Sequence, residues 1–533
     1  MISSYAVVWL AGPAALITVF LLAVGSAGFR LRSLLDWARM AALGNFAAAL
    51  AAAFWVALHG PVTSPLIGIG TIGLSLRLDA LSVTMLLLVG FVSAIVVQFS
   101  RNYLDGDPRQ GLFIGRLCLT VAAVSLLVLS GNLYQLVFAW IATSLALHGL
   151  LVFYRERPAA VIAARKKFIT GRIGDVCLVA AAFLMATAFG SSDIATILER
   201  ARALAEGTSD MVSPGAGIAA AALLLAIAAL LKSAQFPAHG WLPEVMETPT
   251  PVSALLHAGI INAGGFLVIR FADVMVLSPF SLHVLALVGG FTALFAAVVM
   301  LTHSSVKVSL AWSTVAQMGF MLLQCGFGAF ALATLHIVAH SLYKAHAFLT
   351  SGSVVEIARA SWVPDMKARP RPRQMLSSLV LALALYGVLG SLFLPLSDSR
   401  SLAVLCLGAI LVMGLTLLIA QSMAGKPNAF VVGRTLVAAS GATLAYFVLQ
   451  AGVTWLMTPT LPPIPLPGAF DILMMGLAVT SFALVTILQI LAPLWSHGPA
   501  WQTARIHLAN GLYVNALFNR LVGAMKQPSP GQS

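Results

Sequence analysis

The sequence predicts an all-α polytopic membrane protein with about 15 transmembrane helices. Three observations carry this. Of 533 residues, 60% are hydrophobic and only 9% charged, against roughly 25% charged in an average soluble domain. The apolar residues gather in runs near the roughly 20 residues that a helix needs to cross a bilayer. The basic residues segregate between alternate loops. A soluble enzyme, a disordered chain and a disulfide scaffold are excluded. Cys118, Cys177, Cys325 and Cys406 lie far apart inside apolar runs. They have no ligand spacing and read as small buried hydrophobes.

In chain order the spans fall near 5–27, 38–58, 78–99, 113–130, 132–153, 173–189, 216–234, 252–270, 282–301, 305–327, 329–350, 375–396, 401–422, 435–456 and 470–492. The first follows Met1-Ile-Ser-Ser with no basic flank, so a retained helix is expected rather than a cleaved signal peptide. The hydrophilic segments 154–172, 190–214 and 356–374 are each too short for an ordinary soluble domain. Any soluble catalytic machinery is therefore expected on another chain. Of the 30 Lys and Arg, 22 fall in one set of alternating loops and 5 in the other. The positive-inside rule then puts the N-terminus outside and the C-terminus in the cytoplasm. The net charge of +13 is accounted for by topology, and no nucleic acid is needed to explain it.

An ionisable group at membrane depth costs roughly 2.5–3.5 kcal/mol on insertion scales, so each one is a functional candidate. His336, His340 and Lys344 recur every four residues and share one helix face. Imidazoles titrate near neutral pH, and two of them with an amine form a candidate proton relay. The plainer reading is interhelical hydrogen bonding. Zinc is a poor fit, because no glutamate follows the first histidine as in H-E-x-x-H and lysine is a weak ligand.

A second cluster runs from Lys232 to His257, with Pro237, Pro243, Pro249 and Pro251 between them. These prolines break the helix, and broken helices at membrane depth mark transport sites. Glu244 and Glu247 lie in this linker, either as surface carboxylates or as points where protons are taken up. Arg172 and Asp175 are spaced to pair on one turn, for orientation or for transport. Lys307 opens another span, as a snorkelling lysine or a member of the polar axis. After Arg505, the residues Tyr513, Val514, Leu517, Phe518, Leu521, Val522 and Met525 oppose Asn515, Asn519, Arg520 and Lys526. This amphipathic tail suits a membrane face or a partner helix.

Four motifs resemble a known family. They are Lys232-Ser-Ala-Gln-Phe-Pro-x-His-Gly-Trp-Leu-Pro243, Pro249-Thr-Pro-Val-Ser-Ala-Leu-Leu-His257, Ser305-Val-Lys-Val-x-Leu-Ala-Trp-Ser-Thr-Val-Ala-Gln-Met-Gly319, and His336 through Ser353. Leu78-Asp-Ala-Leu-Ser82 adds to them. They resemble the antiporter-like proton-channel subunits of respiratory complex I and of Mrp sodium/proton antiporters, over roughly residues 75–355. The resemblance implies N-terminal helices over 1–112, two inverted five-helix repeats at 113–272 and 282–451 with broken helices, and a last span and amphipathic helix in 452–533. It implies a pathway for H⁺ or Na⁺ through Lys232, His257, Lys307, His336, His340 and Lys344. Asp175 and Glu247 are the further site candidates.

Three departures stand out. Where those subunits carry a glutamate after the fifth-helix tryptophan, this chain reads Trp140-Ile141, and span 375–396 has no lysine. No long lateral helix follows either. Together with the Asn510-Gly-Leu-Tyr513 tail, this is similar to the membrane subunits of the DAB inorganic-carbon accumulation complex. That resemblance implies a bacterial inner-membrane location in contact with membrane lipid. It implies no cofactor and no enzyme activity in this chain. The implied partner is a DabA-like, large, soluble zinc protein resembling β-carbonic anhydrases, on which cation flow would drive CO₂ hydration.

Overall fold

A computed structural model describes residues 8–25, 31–69, 72–208, 215–353, 370–393, 401–424, 428–495 and 498–521. Among these, 13 helices are long and apolar enough to cross a membrane. Two more complete the predicted set. Ala216–Lys232 is apolar but short, and Phe330–Leu349 carries three histidines and a lysine, which lower its hydropathy. The chain is thus an all-α polytopic membrane protein. Arg359, Lys367 and Arg369 of the basic segment, and Val522, Met525 and Lys526 of the tail, lie outside the described residues.

Helices α1 (Ala11–Gly25) and α2 (Leu31–His59) come first. Two small ribbons then precede the third helix, and sequence periodicity does not foresee them. Strands β1 (Val62–Thr63) and β4 (Arg77–Leu78) pair antiparallel, as do β2 (Ile67–Ile69) and β3 (Ile72–Leu74). These pieces are too short to show a period of two. Gly68 faces Gly73 across the β2–β3 ribbon. A Cβ on Gly73 would lie 2.8 Å from the Gly68 Cα, so a side chain does not fit there. Asp79 then caps α3 (Ala80–Tyr103): the Ser82 N–H donates to Asp79 Oδ1 and the Asp79 N–H to Ser82 Oγ, both at 2.9 Å. Reciprocal capping of this kind satisfies two otherwise orphan donors.

Helices α4 (Gln110–Val128) and α5 (Leu133–Leu151) lead to α6 (Pro158–Phe189), which has 32 residues. The segment 154–172 is therefore mostly helix rather than a hydrophilic loop, and the predicted span 173–189 is only its second half. Proline at the first helical position suits this early start. The short helix α7 (Ile194–Ala205) is capped by Asp193 and occupies the predicted polar stretch 190–214. The helix α8 (Ala216–Lys232) stops at its lysine, and α9 (Trp241–Glu244) is a single turn flanked by 3-10 turns. The predicted span 252–270 is itself split into α10 (Thr250–Ala258) and α11 (Ala263–Arg270) by a 3-10 turn at Ile260–Asn262. This pair is the centre of the molecule, and its most apolar 18-residue stretch is wholly buried.

The helices α12 (Ala272–Met275), α13 (Pro279–Met300), α14 (Val306–Gly326) and α15 (Phe330–Leu349) come next. Gly289 on α13 and Gly319 on α14 let the two backbones meet closely, since a Cβ on Gly319 would lie 2.6 Å from Gly289 O. Small residues at such seams drive helix packing in lipid. The last elements are α16 (Pro372–Gly390), α17 (Ser401–Ser422), α18 (Ala429–Met457), α19 (Ala469–Trp495), α20 (Pro499–Ala509) and α21 (Val514–Leu521). Ala382, Tyr386, Ile419 and Phe447 of α16–α18 form a core cluster separate from the main one.

Candidate functional site

Lys232 closes α8. Its Nζ lies 4.1 Å from the centre of the Trp140 ring and 3.5 Å from the Trp140 carbonyl oxygen. An ammonium over an indole face is attracted by the ring quadrupole. Trp140, 1% exposed, thus contacts Lys232 one residue before the isoleucine that replaces the family's glutamate. Lys232 also borders a cavity of about 20 Å³ with Ser144, Lys167, Thr170, Trp241, Leu256 and Ile260. That is room for about one water molecule. Lys167 is buried, and its Nζ donates to Ser144 O at 2.7 Å and to Ser144 Oγ at 2.9 Å.

The helix α10 joins this cavity to α15. Its Leu256 lines the cavity, and the next residue, His257, stacks on Phe348 of α15 with ring centres 4.4 Å apart. Lys344 is fully buried one turn before Phe348, with its Nζ 3.0 Å from Leu310 O. His340 is buried one turn earlier, with its ring 6.1 Å from that of His336. The predicted stripe of His336, His340 and Lys344 therefore exists on one helix, and His257 joins it from α10.

Several buried polar atoms along this course have no protein hydrogen bond. Among the described residues these include both ring nitrogens of His239 and of His257, Trp241 Nε1, and Nε2 of His336 and of His340. Buried polar groups are ordinarily satisfied by protein or by ordered water. Unpaired imidazole nitrogens beside buried amines therefore have room in their hydrogen bonding for ordered water.

The structure does not bring every sequence candidate to this axis. Glu247 lies at the surface, with Oε2 3.5 Å from Arg157 Nη1 and both side chains about half exposed. Its position after the broken turn of α9 carries it outward. Asp175, by contrast, is buried within electrostatic reach of Lys232 and Lys167, and Arg172 one turn earlier on α6 pairs with it at 2.6 Å. Lys307 is half-buried at the start of α14 and donates to Thr250 Oγ1 at 3.1 Å, which ties it to the start of α10. The tail forms α21. Its polar Asn515 faces the protein, while Leu517 is 60% exposed. The helix packs on the 3-10 turn at Ala238–Gly240 of its own chain.

Sequence reasoning misses three residues. Lys166 and Lys167 read as loop charges in the sequence, and Glu244 stands level with Glu247 there. Lys166 is fully buried, with Nζ 2.5 Å from Glu244 Oε2 and 2.9 Å from Asn515 Oδ1. The signal that could find them is the apolar run Ala159-Ala-Val-Ile-Ala-Ala164 just before Arg165, which extends the helical pattern back through the two lysines.

Residues 130–361 match the family described as NADH:quinone oxidoreductase/Mrp antiporter, TM, and residues 67–114 match the N-terminus of complex I chain 5. The chain is 37% identical over 475 residues to the probable inorganic carbon transporter subunit DabB2 of Halothiobacillus neapolitanus, covering 85% of this chain and 81% of that one. It is 47% identical over 278 residues to the probable inorganic carbon transporter subunit DabB of Hydrogenovibrio crunogenus, covering 52% of each. With NAD(P)H-quinone oxidoreductase chain 5 of Synechocystis sp. it shares 38% over 279 residues, which is 52% of this chain and 40% of that one.

The fold is that of a chain in the Mrp complex of Dietzia sp., with a TM-score of 0.65 at 23% identity over 97% of this chain and 59% of that one. A chain of an archaeal membrane-bound sulfane sulfur reductase shares it at a TM-score of 0.57 and 18% identity, over 98% and 100%. By the extent of its likeness to DabB2, the chain belongs to the DabB family within the complex I and Mrp antiporter-like membrane subunits.

Proposed function

We propose that this chain conducts a cation, H⁺, through the membrane part of an inorganic-carbon accumulation complex. Its flow would drive one-directional hydration of CO₂ to bicarbonate and a proton on a soluble zinc partner of DabA type. The observation that carries the conduction reading is the buried row of Lys167, Lys232, His257, Lys344 and His340, with unpaired imidazole nitrogens along it. An inert anchor has no reason to bear the insertion cost of such groups. The names of the relatives support the carbon side of the reading.

Protons would pass from the Lys167–Lys232 cavity past His257 on α10 to Lys344 and His340 on α15. Each arrival changes its neighbour's charge state by like-charge repulsion. The repeats at 113–272 and 282–451 would supply one half of this path each. The basic loops would face the cytoplasm of the inner membrane and the zinc partner. Among the described residues no three His, Cys, Asp or Glu side chains gather as a metal site, and zinc would sit on the partner.

The test is a mild-detergent pulldown of the tagged chain with mass spectrometry and a zinc assay. One large zinc-bearing soluble protein in the eluate is expected. Other antiporter-like membrane subunits with iron–sulfur proteins in its place would overturn the carbon reading and return the chain to a complex I or Mrp role.

A further inference from the structure

We propose that Glu244 and Lys166 form the cytoplasmic port through which protons pass between the buried amines and the cytoplasm, and that Asn515 of the C-terminal helix holds this port in register. The proposal rests on the proton-conduction reading above. Glu244 spans two environments: its side chain is 28% exposed, while Lys166, 2.5 Å away, has none of its side chain exposed. Among the described residues it is the carboxylate that pairs with a fully buried lysine. Glu247 is held at the surface by Arg157, and the buried Asp175 pairs with Arg172 rather than with a lysine.

Both ends of the pair lead inward. Lys167, the next residue on α6, points about 100° round the helix, and it lines the cavity that also holds Lys232. Trp241, at the other end of the single turn α9, borders the same cavity. A proton taken up at Glu244 therefore stands one turn of α9, and one residue of α6, from the start of the buried row.

Asn515 closes the arrangement. Its Oδ1 accepts from Lys166 Nζ at 2.9 Å, and its Nδ2 donates to Glu244 Oε1. It thereby satisfies both partners without adding a charge, and it comes from a helix 349 residues further along the chain than Lys166. Gly240 makes the seat: a Cβ there would fall 3.2 Å from Asn515 Cβ and 2.6 Å from its Cγ. A buried ion pair is not in itself a source of stability, because desolvation opposes its attraction. A partly exposed acid against a sealed amine is instead what proton uptake from water requires. Asn515 is a positioning residue, since it orders the pair without carrying the proton.

The experiment uses the full chain with whatever partner co-purifies, in vesicles of phosphatidylethanolamine and phosphatidylglycerol. Proton influx is driven by a potassium diffusion potential and read by an internal pH dye. Glu244→Gln and Lys166→Met are expected to lower influx at least about a hundredfold, the low end of what one positioned proton-transfer group contributes. Asn515→Leu is expected to lower it several-fold, and Arg157→Gln to leave it unchanged. The charge swap Lys166→Glu with Glu244→Lys keeps the ion pair but reverses acid and amine, so it is expected to stay near the level of Glu244→Gln. Recovery to wild-type influx in the swap would make the pair a strut and overturn the port. Should the swap not elute as a monodisperse protein, Glu244→Gln decides alone, since it keeps the size and shape of the side chain. Wild-type influx in Glu244→Gln, with influx lost in Lys344→Met, overturns the port and leaves conduction standing. Absence of influx through the wild-type protein overturns both.

Discussion

At Lys344 a buried ammonium is met by one backbone carbonyl, Leu310 O at 3.0 Å. Removing the amine removes the proposed proton carrier without stranding a counter-charge, so the fold should survive. Lys344→Ala is expected to abolish cation-driven carbon uptake while the chain still retains its partner on purification. Wild-type uptake in such a variant would sink the relay at this residue. Trp140→Leu removes the ring under Lys232, worth about 2 kcal/mol when desolvated. It is expected to slow proton influx into vesicles while leaving Lys344 chemistry untouched, and unchanged influx would show the ring to be packing alone. Lys232, His257, His340 and Lys344 are legible in the sequence because a polar residue inside an apolar run stands out. Lys166 and Lys167 are not, because Arg165 and Arg172 on either side make the stretch read as a basic loop. Glu244 and Glu247 are indistinguishable because the linker around them has no period that assigns a face.

At the scale of elements, the turn between α20 and α21 decides where the tail goes. Gly511, Leu512 and Tyr513 all have positive φ, at 57°, 52° and 61°, so the chain reverses there and delivers Asn515 to the port. A non-glycine residue in this region costs roughly 1–2 kcal/mol, and Leu512 and Tyr513 already bear that cost. Gly511 is buried, and a Cβ there would sit 3.6 Å from the Trp312 ring. Gly511→Val adds a branched side chain at positive φ. It is expected to release the tail, seen as faster tryptic cleavage at Arg520 in detergent. Equal cleavage rates in the two proteins would mean that the turn does not hold the helix. The amphipathic pattern of the tail is readable in the sequence, but its orientation is not. A period of 3.6 identifies two faces without saying which of them meets protein and which meets lipid. The long α6 is half legible for a related reason: hydropathy finds the lipid-crossing part of a helix and stops where charge begins.

At the scale of the whole molecule, one ion pair ties the N-terminal helices to the centre. Arg270 at the end of α11 reaches Asp79 at the start of α3 through Nη1 at 2.5 Å and Nη2 at 3.2 Å, and Arg77 Nε adds a contact at 2.8 Å. Burial works to raise the pKa of the Asp79 carboxyl. The Arg270 and Arg77 charges and the capping bonds outweigh it, and hold the group below the ordinary carboxylate range. A folded pKa below the unfolded one means stability that is present above the unfolded value and lost as pH falls toward the folded one. The clamp is therefore fully formed at neutral pH and is released only in acid. Asp79→Asn leaves a buried guanidinium without its counter-charge and should cost about 3–5 kcal/mol, read as a lower Tm of the detergent-solubilised protein. An unchanged Tm would show that the helices are held by apolar packing alone. The 13 long apolar helices among the described residues are legible because lipid demands apolar length. The β1–β4 ribbons and the break between α10 and α11 are not, because both are set by contacts between segments rather than by composition.

The length of α6 also has an electrical meaning. Its 32 residues make a rod of about 48 Å, well beyond the roughly 30 Å of hydrocarbon. Lys166 and Asp175 are nine residues apart on it, about 14 Å along the axis and a little under half of the insulating layer. One elementary charge crossing 100 mV gains roughly 2.3 kcal/mol. On the proposed topology, a proton carried from the level of Asp175 to that of Lys166, toward the negative cytoplasmic side, would gain roughly 1 kcal/mol along an upright helix, about a fivefold change in occupancy. On the proposed path an inside-negative voltage would oppose loading of the inner amines from the cytoplasmic port, and a de-energised cell would let them load from there with no change in the pH on either side.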